Sequence, residues 1–338
     1  MKMQKWKSWL MAGVLMSTVT ACSTSGGGGN SGESDYPTKS ITVVAPSGAG
    51  GGWDLTARSL TKILGETKLV DQTMTVENKP GGGGAVYLAE FATQHKKDDY
   101  KLYVNSPPIL INNLKKEGNS PYGYKNTTPL AQLTKDFGAI VVKKDSKYNS
   151  LKELMDAVKM DPKSVTAAGG SAPGSMDHLV AVLPAYKSGV DPKTVKYVSY
   201  DGGGEAIAAL LGGNADYIAT DASAVGEFLK AGKVKVLGVS STERLKGDLA
   251  DVPTFKEEGI DADFTIWRGV FGPKDMSDNA KKFWAKKLKD LNDSEEWKEE
   301  LERNGWEAEF KDSEEFSSFL KEQEKQVEDL LKSLGMNK

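Results

Sequence analysis

Cysteine and histidine are nearly missing from this chain: its 338 residues include one cysteine, Cys22, and two histidines, His95 and His178. A solitary cysteine excludes a disulfide within one chain. The absence of any clustered Cys, His and acid set excludes a transition-metal centre of ordinary composition. Long hydrophobic runs are also lacking, for the apolar stretch at residues 9–19 is too short to cross a bilayer as a permanent helix. Basic charge is not in excess: 44 Lys and Arg against 47 Asp and Glu leave a formal charge of -3. That balance argues against nucleic acid as a partner. An acidic protein that binds small anions must use local dipoles and a few cations, because its net field repels them.

The amino-terminal end is of a different kind. Lys2, Lys5 and Lys7 precede the apolar stretch, which ends at Val19-Thr20-Ala21-Cys22. This resembles a bacterial lipobox, in which the leader is cut before a lipidated cysteine. Residues 1–21 are therefore read as a lipoprotein signal peptide and Cys22 as the lipidation site. The alternative is a plain signal peptide with an incidental cysteine. Residues 22–35, rich in Gly and Ser, make a flexible tether that cannot pack a core. Loss of residues 1–21 removes three lysines and no acid, moving the formal charge from -3 to -6. The folded part starts near Tyr36.

With 38% hydrophobic residues the remainder can bury a substantial core. Residues 41–45 read as a buried strand and lead into PSGAGGGWD, residues 46–54, after which Trp53, Ala57, Leu60 and Leu64 recur at helical spacing. The device repeats: residues 74–78 precede Gly81 to Gly84 and a helix over 86–92, and a third strand over 100–105 ends at Ser106. A second set has strands over 139–143, 165–168, 195–200, 217–219 and 234–239, with a capped helix over 150–159. Glycine-rich loops follow two of these strands, Gly169 to Ser175 and Asp201 to Gly204. Alternating strands and helices predict an α/β protein of mostly parallel sheets covered on both faces. Ligands then bind at the strands' carboxyl ends. Residues 278–303 and 313–334 read as structural helices, with Asp312 and Glu315 as a capping box; a partner-binding coiled coil is the weaker alternative.

Glycine-rich turns at helix starts leave unpaired N–H groups and a partial positive charge beside an accessible backbone, which suits phosphate or carboxylate oxygens. Tight turning alone is the plainer explanation for any single loop. None of the loops is G-x-G-x-x-G or G-x-x-x-x-G-K-[ST], so nucleotide binding loses its motifs. Ser175 and His178 invite a hydrolase reading, but G-x-S-x-G is missing.

The chain from about Tyr36 to Gly335 resembles the TctC, or Bug, substrate-binding proteins of tripartite tricarboxylate transporters. The matching stretches, in the family's order, are YPTKSITVVAPSGAGGGWDLTAR, VENKPGGGGAVYLAEFA, AAGGSAPGSMDHL, YVSYDGGGEAIAALLGG, AGKVKVLGVSS, DVPTFKEEGI and WRGVFGP. The resemblance implies a two-lobed type II periplasmic-binding-protein fold, a Venus flytrap of two α/β lobes. Residues 36–138 plus 264–338 would form lobe 1 and residues 139–263 lobe 2. It also implies a non-enzymatic, cofactor-free monomer that delivers an organic acid to membrane permease subunits of the TctA/TctB type.

Carried onto this sequence, the resemblance implies that Gly50, Gly51, Gly52, Trp53 and Asp54, with Tyr200, Gly202, Gly203, Gly204 and Glu205, grip a carboxylate by backbone amides and ordered water. Gly170, Ser171, Gly174, Ser175 and His178, with Ser106, complete the polar wall. Trp53 and Asp201, where relatives often carry a small hydroxyl residue and a lysine, point to the tricarboxylate branch. Arg268 could offer a fork to a second carboxylate or be a structural arginine between strands. Asp54 caps the helix or orients a water. The leading expectation is a binding protein for a di- or tricarboxylate such as citrate. A carboxylate sensor for a signalling kinase and a Ser175/His178 hydrolase are the alternatives.

Overall fold

A strand whose residues are apolar without alternation needs cover on both faces. The run Ile41–Ala45 is such a strand, β1, with Ile41, Val43, Val44 and Ala45 buried. In the computed structural model, which describes residues 36–118 and 120–338, β1 leads to α1 (Gly52–Glu66), β2 (Met74–Asn78), α2 (Ala85–Gln94), β3 (Lys101–Asn105) and the short α3 (Pro108–Leu114). The signal peptide, Cys22 and tether assigned above lie outside the described residues. β2, β1 and β3 form a parallel trio with β1 in the middle.

Next comes β4 (Thr127–Lys143), then α4 (Leu151–Met160), β5 (Thr166–Gly169), α5 (Met176–Lys187), β6 (Lys196–Ser199), α6 (Gly203–Leu211), β7 (Tyr217–Asp221), α7 (Gly226–Lys230) and β8 (Val234–Val239). β6, β5 and β7 form a second parallel trio with β5 in the middle. The chain closes with β9 (Thr265–Pro273), α8 (Asp278–Asp293), α9 (Glu295–Asn304), β10 (Glu307–Lys311) and α10 (Ser313–Ser333).

The long strand β4 ties the two trios together. Its residues up to Phe137 pair antiparallel with β9, and its residues from Gly138 pair antiparallel with β7 and β8. β9 also pairs with β3, giving the order β2-β1-β3-β9-β4-β7-β5-β6, while β10 adds to β4. The change of partners between Phe137 and Gly138 is tied down by Ser240, whose Oγ accepts from the Gly138 amide at 2.8 Å. Phe264 N donates to Ser240 O at 3.0 Å just before β9 begins.

The helices at the carboxyl-terminal end pack as core. Trp284, Trp297, Leu288 and Leu291 are fully buried under the first trio, and Trp284 Nε1 donates to Tyr36 Oη at 2.8 Å. The expected continuous helix over 278–303 is broken at Ser294, which takes an extended conformation and caps α9 by accepting from Trp297 N. The Asp312/Glu315 capping box is present, and Phe316, Leu320 and Leu331 of α10 are fully buried.

Gly269 lies where Phe316 crosses β9. A Cβ there would come within 2.3 Å of the Phe316 ring. Because inserted atoms in a packed contact force strain, Gly269→Ala should cost about 1–3 kcal/mol. The measurement is the denaturant midpoint, which should fall at unchanged slope; an unaltered midpoint would show that strand and helix separate freely.

Candidate functional site

The first amides of a helix have no partner within it, so something else must satisfy them. At α4, α8, α9 and α10 a side chain does this, from Ser150, Ser277, Ser294 and Asp312. At α1, α2 and α6 the residues in that position are Gly51, Gly84 and Gly202, which have no side chain to offer. α5 starts at Ser175, whose hydroxyl makes no capping bond; Ser171 instead accepts from Asp177 N at 2.9 Å. These four glycine- or loop-served starts all follow strands of the two parallel trios, at their carboxyl ends.

The loop before α1 is braced from within. Gly50, with φ at +80°, donates its amide to Asp54 Oδ2 at 2.8 Å. Asp54 also accepts from Arg58 Nε at 2.9 Å and from Asn78 Nδ2 at 2.9 Å. Burial works against its charge, but the bonds from Arg58, Gly50 and Asn78 hold its carboxyl below the usual carboxylate range. Asp54 is thus spent on shaping the loop. Trp53 packs against the core beneath the first trio and donates Nε1 to Ser106 Oγ at 2.8 Å, joining two of the expected site residues.

The loops of the second trio are packed backbone to backbone. A Cβ on Gly170 would come within 2.3 Å of the Gly202 carbonyl carbon and Gly203 N, so only glycine fits. Gly170 N donates to Asp177 Oδ2 at 2.6 Å, and Tyr200 N donates to Gly169 O at 2.9 Å. Asp201 N donates to the exposed Glu205 at 3.3 Å, and Gly204 is exposed beside it. Gly174 N donates to His178 Nδ1 at 2.8 Å, and the buried imidazole lies 4.6 Å from the Tyr197 ring. Burial, assisted by the charge of Lys115, pushes His178 down to about 4. With Nδ1 so occupied and no hydrogen-bond partner for Ser175 Oγ, the serine lacks a base.

The two sets of loops face each other. A Cβ on Gly52 would lie 2.4 Å from Arg268 Nη2 and 2.8 Å from Asp221 Oδ2; one on Gly83 would lie 3.6 Å from Ser175 Oγ. Arg268, 1% exposed, pairs through Nη2 with Asp221 at 2.5 Å, while its Nε has no partner among the described residues. Asp136, at the crossover, accepts from Ser223 Oγ at 2.6 Å and from Phe137 N at 2.7 Å. Burial and the Asp221 charge push both Asp136 and Asp177 up to about 7. Sequence reading missed Asp136, Asp177 and Asp221. Only Asp221 carried a signal, its place at the carboxyl end of β7. Among the described residues no group of three or more His, Cys, Asp or Glu side chains could hold a metal ion.

The family model described as "Tripartite tricarboxylate transporter family receptor" matches residues 57–336. The chain belongs to that family. A protein encoded in the gbd 5′ region of Cupriavidus necator is 28% identical over 313 residues, 90% of each chain. Among solved structures, the periplasmic binding protein BugD is similar with a TM-score of 0.79 and 26% identity, over 89% of this chain and 99% of that one. MatC from Rhodopseudomonas palustris, solved with bound malate, matches with a TM-score of 0.76 and 24% identity, over 88% of this chain and all (100%) of that one. The fold is thus the two-lobed type II fold of periplasmic solute-binding proteins, and the family receptor is a binding protein rather than an enzyme. Among the described residues, no helix is long and apolar enough to cross a membrane.

The raised acids give this receptor a pH signature. An acid whose folded value lies above its unfolded one favours the folded state when protonated. That stability is complete below about 4, the unfolded carboxylate range, and is lost as pH rises through the folded value. For Asp136 the upper limit is about 7. The unfolding free energy of Asp136→Asn relative to the wild type should therefore improve between pH 5 and pH 8. A difference independent of pH would contradict the burial of this carboxyl.

Proposed function

We propose that the protein is an extracytoplasmic receptor, held by a lipid on Cys22 at the outer face of the membrane or its periplasmic side. It captures a di- or tricarboxylate of the citrate type between its lobes and passes it to permease subunits of the TctA/TctB type. The lobes are residues 36–138 plus 264–338 and residues 139–263, with the hinge where β4 changes partners and where β9 begins. The carrying observation is that helix starts without side-chain caps come from both parallel trios, and that the α1 start at Gly52 lies against Asp221 at the end of β7 in the second trio. A carboxylate between them would accept from the first-turn amides of α1 at Gly52 and Trp53 and of α6 at Gly203 and Gly204. The malate bound by the similar MatC supports a ligand with more than one carboxylate.

Capture works by closure. A ligand that touches both lobes binds the closed state more tightly than the open one, and can shift the equilibrium only by that difference. Arg268 and Asp221 contribute as a latch: Arg268 of lobe 1 pairs with Asp221 of lobe 2, which also lies against the α1 start at Gly52. Glycine at position 52 is then a requirement of closure.

Citrate and malate should raise the melting temperature and acetate should not, since stabilisation follows ligand concentration over Kd, about 2.7 kcal/mol at a hundredfold excess. Gly52→Ala should weaken citrate about tenfold or more, because each 1.4 kcal/mol lost to incomplete closure is a factor of ten. Equal affinity for citrate and acetate would overturn the carboxylate reading, and an unchanged Gly52→Ala would overturn the closure.

A further inference from the structure

Among the described residues, Lys115 is a buried cation without a partner for its charge. It follows α3 at its carboxyl end, is 4% exposed, and has no hydrogen-bond or ion-pair partner for Nζ among the described residues. Its stem crosses to the other lobe, where a Cβ on Gly174 would lie 3.7 Å from Lys115 Cδ. Burial lowers its pKa, the expected response of an ammonium removed from water without a counter-charge. A lone buried charge is costly, so its retention asks for a compensating anion.

Other unpaired groups surround the same place. Ser175 Oγ, in a residue 1% exposed, has no partner, and neither does Asn112 Oδ1, in a residue 2% exposed. Gly83 separates them: a Cβ there would lie 3.4 Å from Asn112 Nδ2 and 3.6 Å from Ser175 Oγ. Asn112 is anchored by donating Nδ2 to Gly83 O at 2.8 Å. His178 receives the Gly174 amide on Nδ1, which leaves its proton on Nε2 as a further donor. Lys115 and Asn112 come from lobe 1; Ser175 and His178 come from lobe 2.

We propose that Lys115, with Ser175 and His178, forms a second anion subsite that neutralises the distal carboxylate of the ligand. It thereby makes the receptor selective for molecules carrying two or more carboxylates. The inference rests on the carboxylate reading above and adds to it the residue that counts charges. Arg268 is paired through Nη2 with Asp221, whereas Lys115 Nζ has no such partner among the described residues. The ammonium would gain a charge-assisted hydrogen bond only when the ligand supplies an oxygen there and the lobes have closed.

The test is calorimetric titration of the wild type, Lys115→Met and Lys115→Arg with malate, citrate and the monomethyl ester of malate. Lys115→Met should weaken malate and citrate about tenfold or more, the scale of losing one partner of a buried charge pair. The half-ester should be unaffected, and Lys115→Arg should recover most of the loss. Without ligand, Lys115→Met should melt at or above the wild-type temperature, because an unpartnered buried charge has been removed. Equal weakening of diacid and half-ester, no weakening of either, or a lowered melting temperature accompanied by loss of both would overturn the subsite. If the wild type bound neither malate nor citrate, the parent reading would fall and the subsite with it; malate binding that ignores Lys115→Met sinks the subsite alone.

Discussion

An amide at the start of a helix has to be satisfied by something, and this fold divides its helices by what does so. Where a helix only supports the core, serine or aspartate caps it, as at Ser150, Ser277, Ser294 and Asp312. At α1, α2 and α6, which start at the carboxyl ends of parallel strands, glycine takes the position and offers no side-chain cap. A side-chain cap is worth roughly 0.5–2 kcal/mol, so each glycine start forgoes stability that the other helices take. The loops compensate by bracing themselves, Asp54 against Gly50, Arg58 and Asn78, and Asp177 against Gly170. Before α5 the loop also takes up a helix amide, Asp177 N donating to Ser171 Oγ.

Charge is managed with comparable economy. Three carboxyl groups, Asp136, Asp177 and Asp221, lie within reach of one guanidinium, Arg268, and burial and the Asp221 charge push Asp136 and Asp177 toward the protonated form against its pull. Such a cluster repels an incoming carboxylate unless it is shielded by its own arginine and by protons. In the proposed mode of capture, anion attraction falls to dipoles and to Lys115, in keeping with the acidic balance of the whole chain. Binding through uncharged amides, as proposed, would also limit the desolvation cost of closure, since few full charges have to leave water together.

Much of the architecture was legible because β-branched strands and glycine loops are local signals. Strands β1, β2, β3, β5, β6, β7 and β8 lie within a residue or two of where their apolar runs placed them, and the capping box at Asp312 marked α10. The first eleven residues of β4 were not legible, because Gln132, Thr134 and Asp136 are buried polar residues that break any apolar period. β10 reads as charged, and α3 hides behind two prolines. At the site, glycine loops announce themselves, whereas Asp136, Asp177 and Lys115 acquire their meaning only from what tertiary packing sets beside them. Arg268 shows the same limit: its identity left a ligand's fork and a structural arginine both open, and only the structure sets Asp221 against its Nη2.

The most direct measurement is a titration of the isotope-labelled protein with citrate, followed in the proton–nitrogen correlation spectrum. The amides of Gly52, Trp53, Gly203 and Gly204 should move downfield together and saturate at one common concentration, as expected for donors to a single anion. Movement confined to the surface groove lined by Leu55, Arg58, Met74, Val76 and Glu300, with the helix-start amides still, would contradict capture between the lobes.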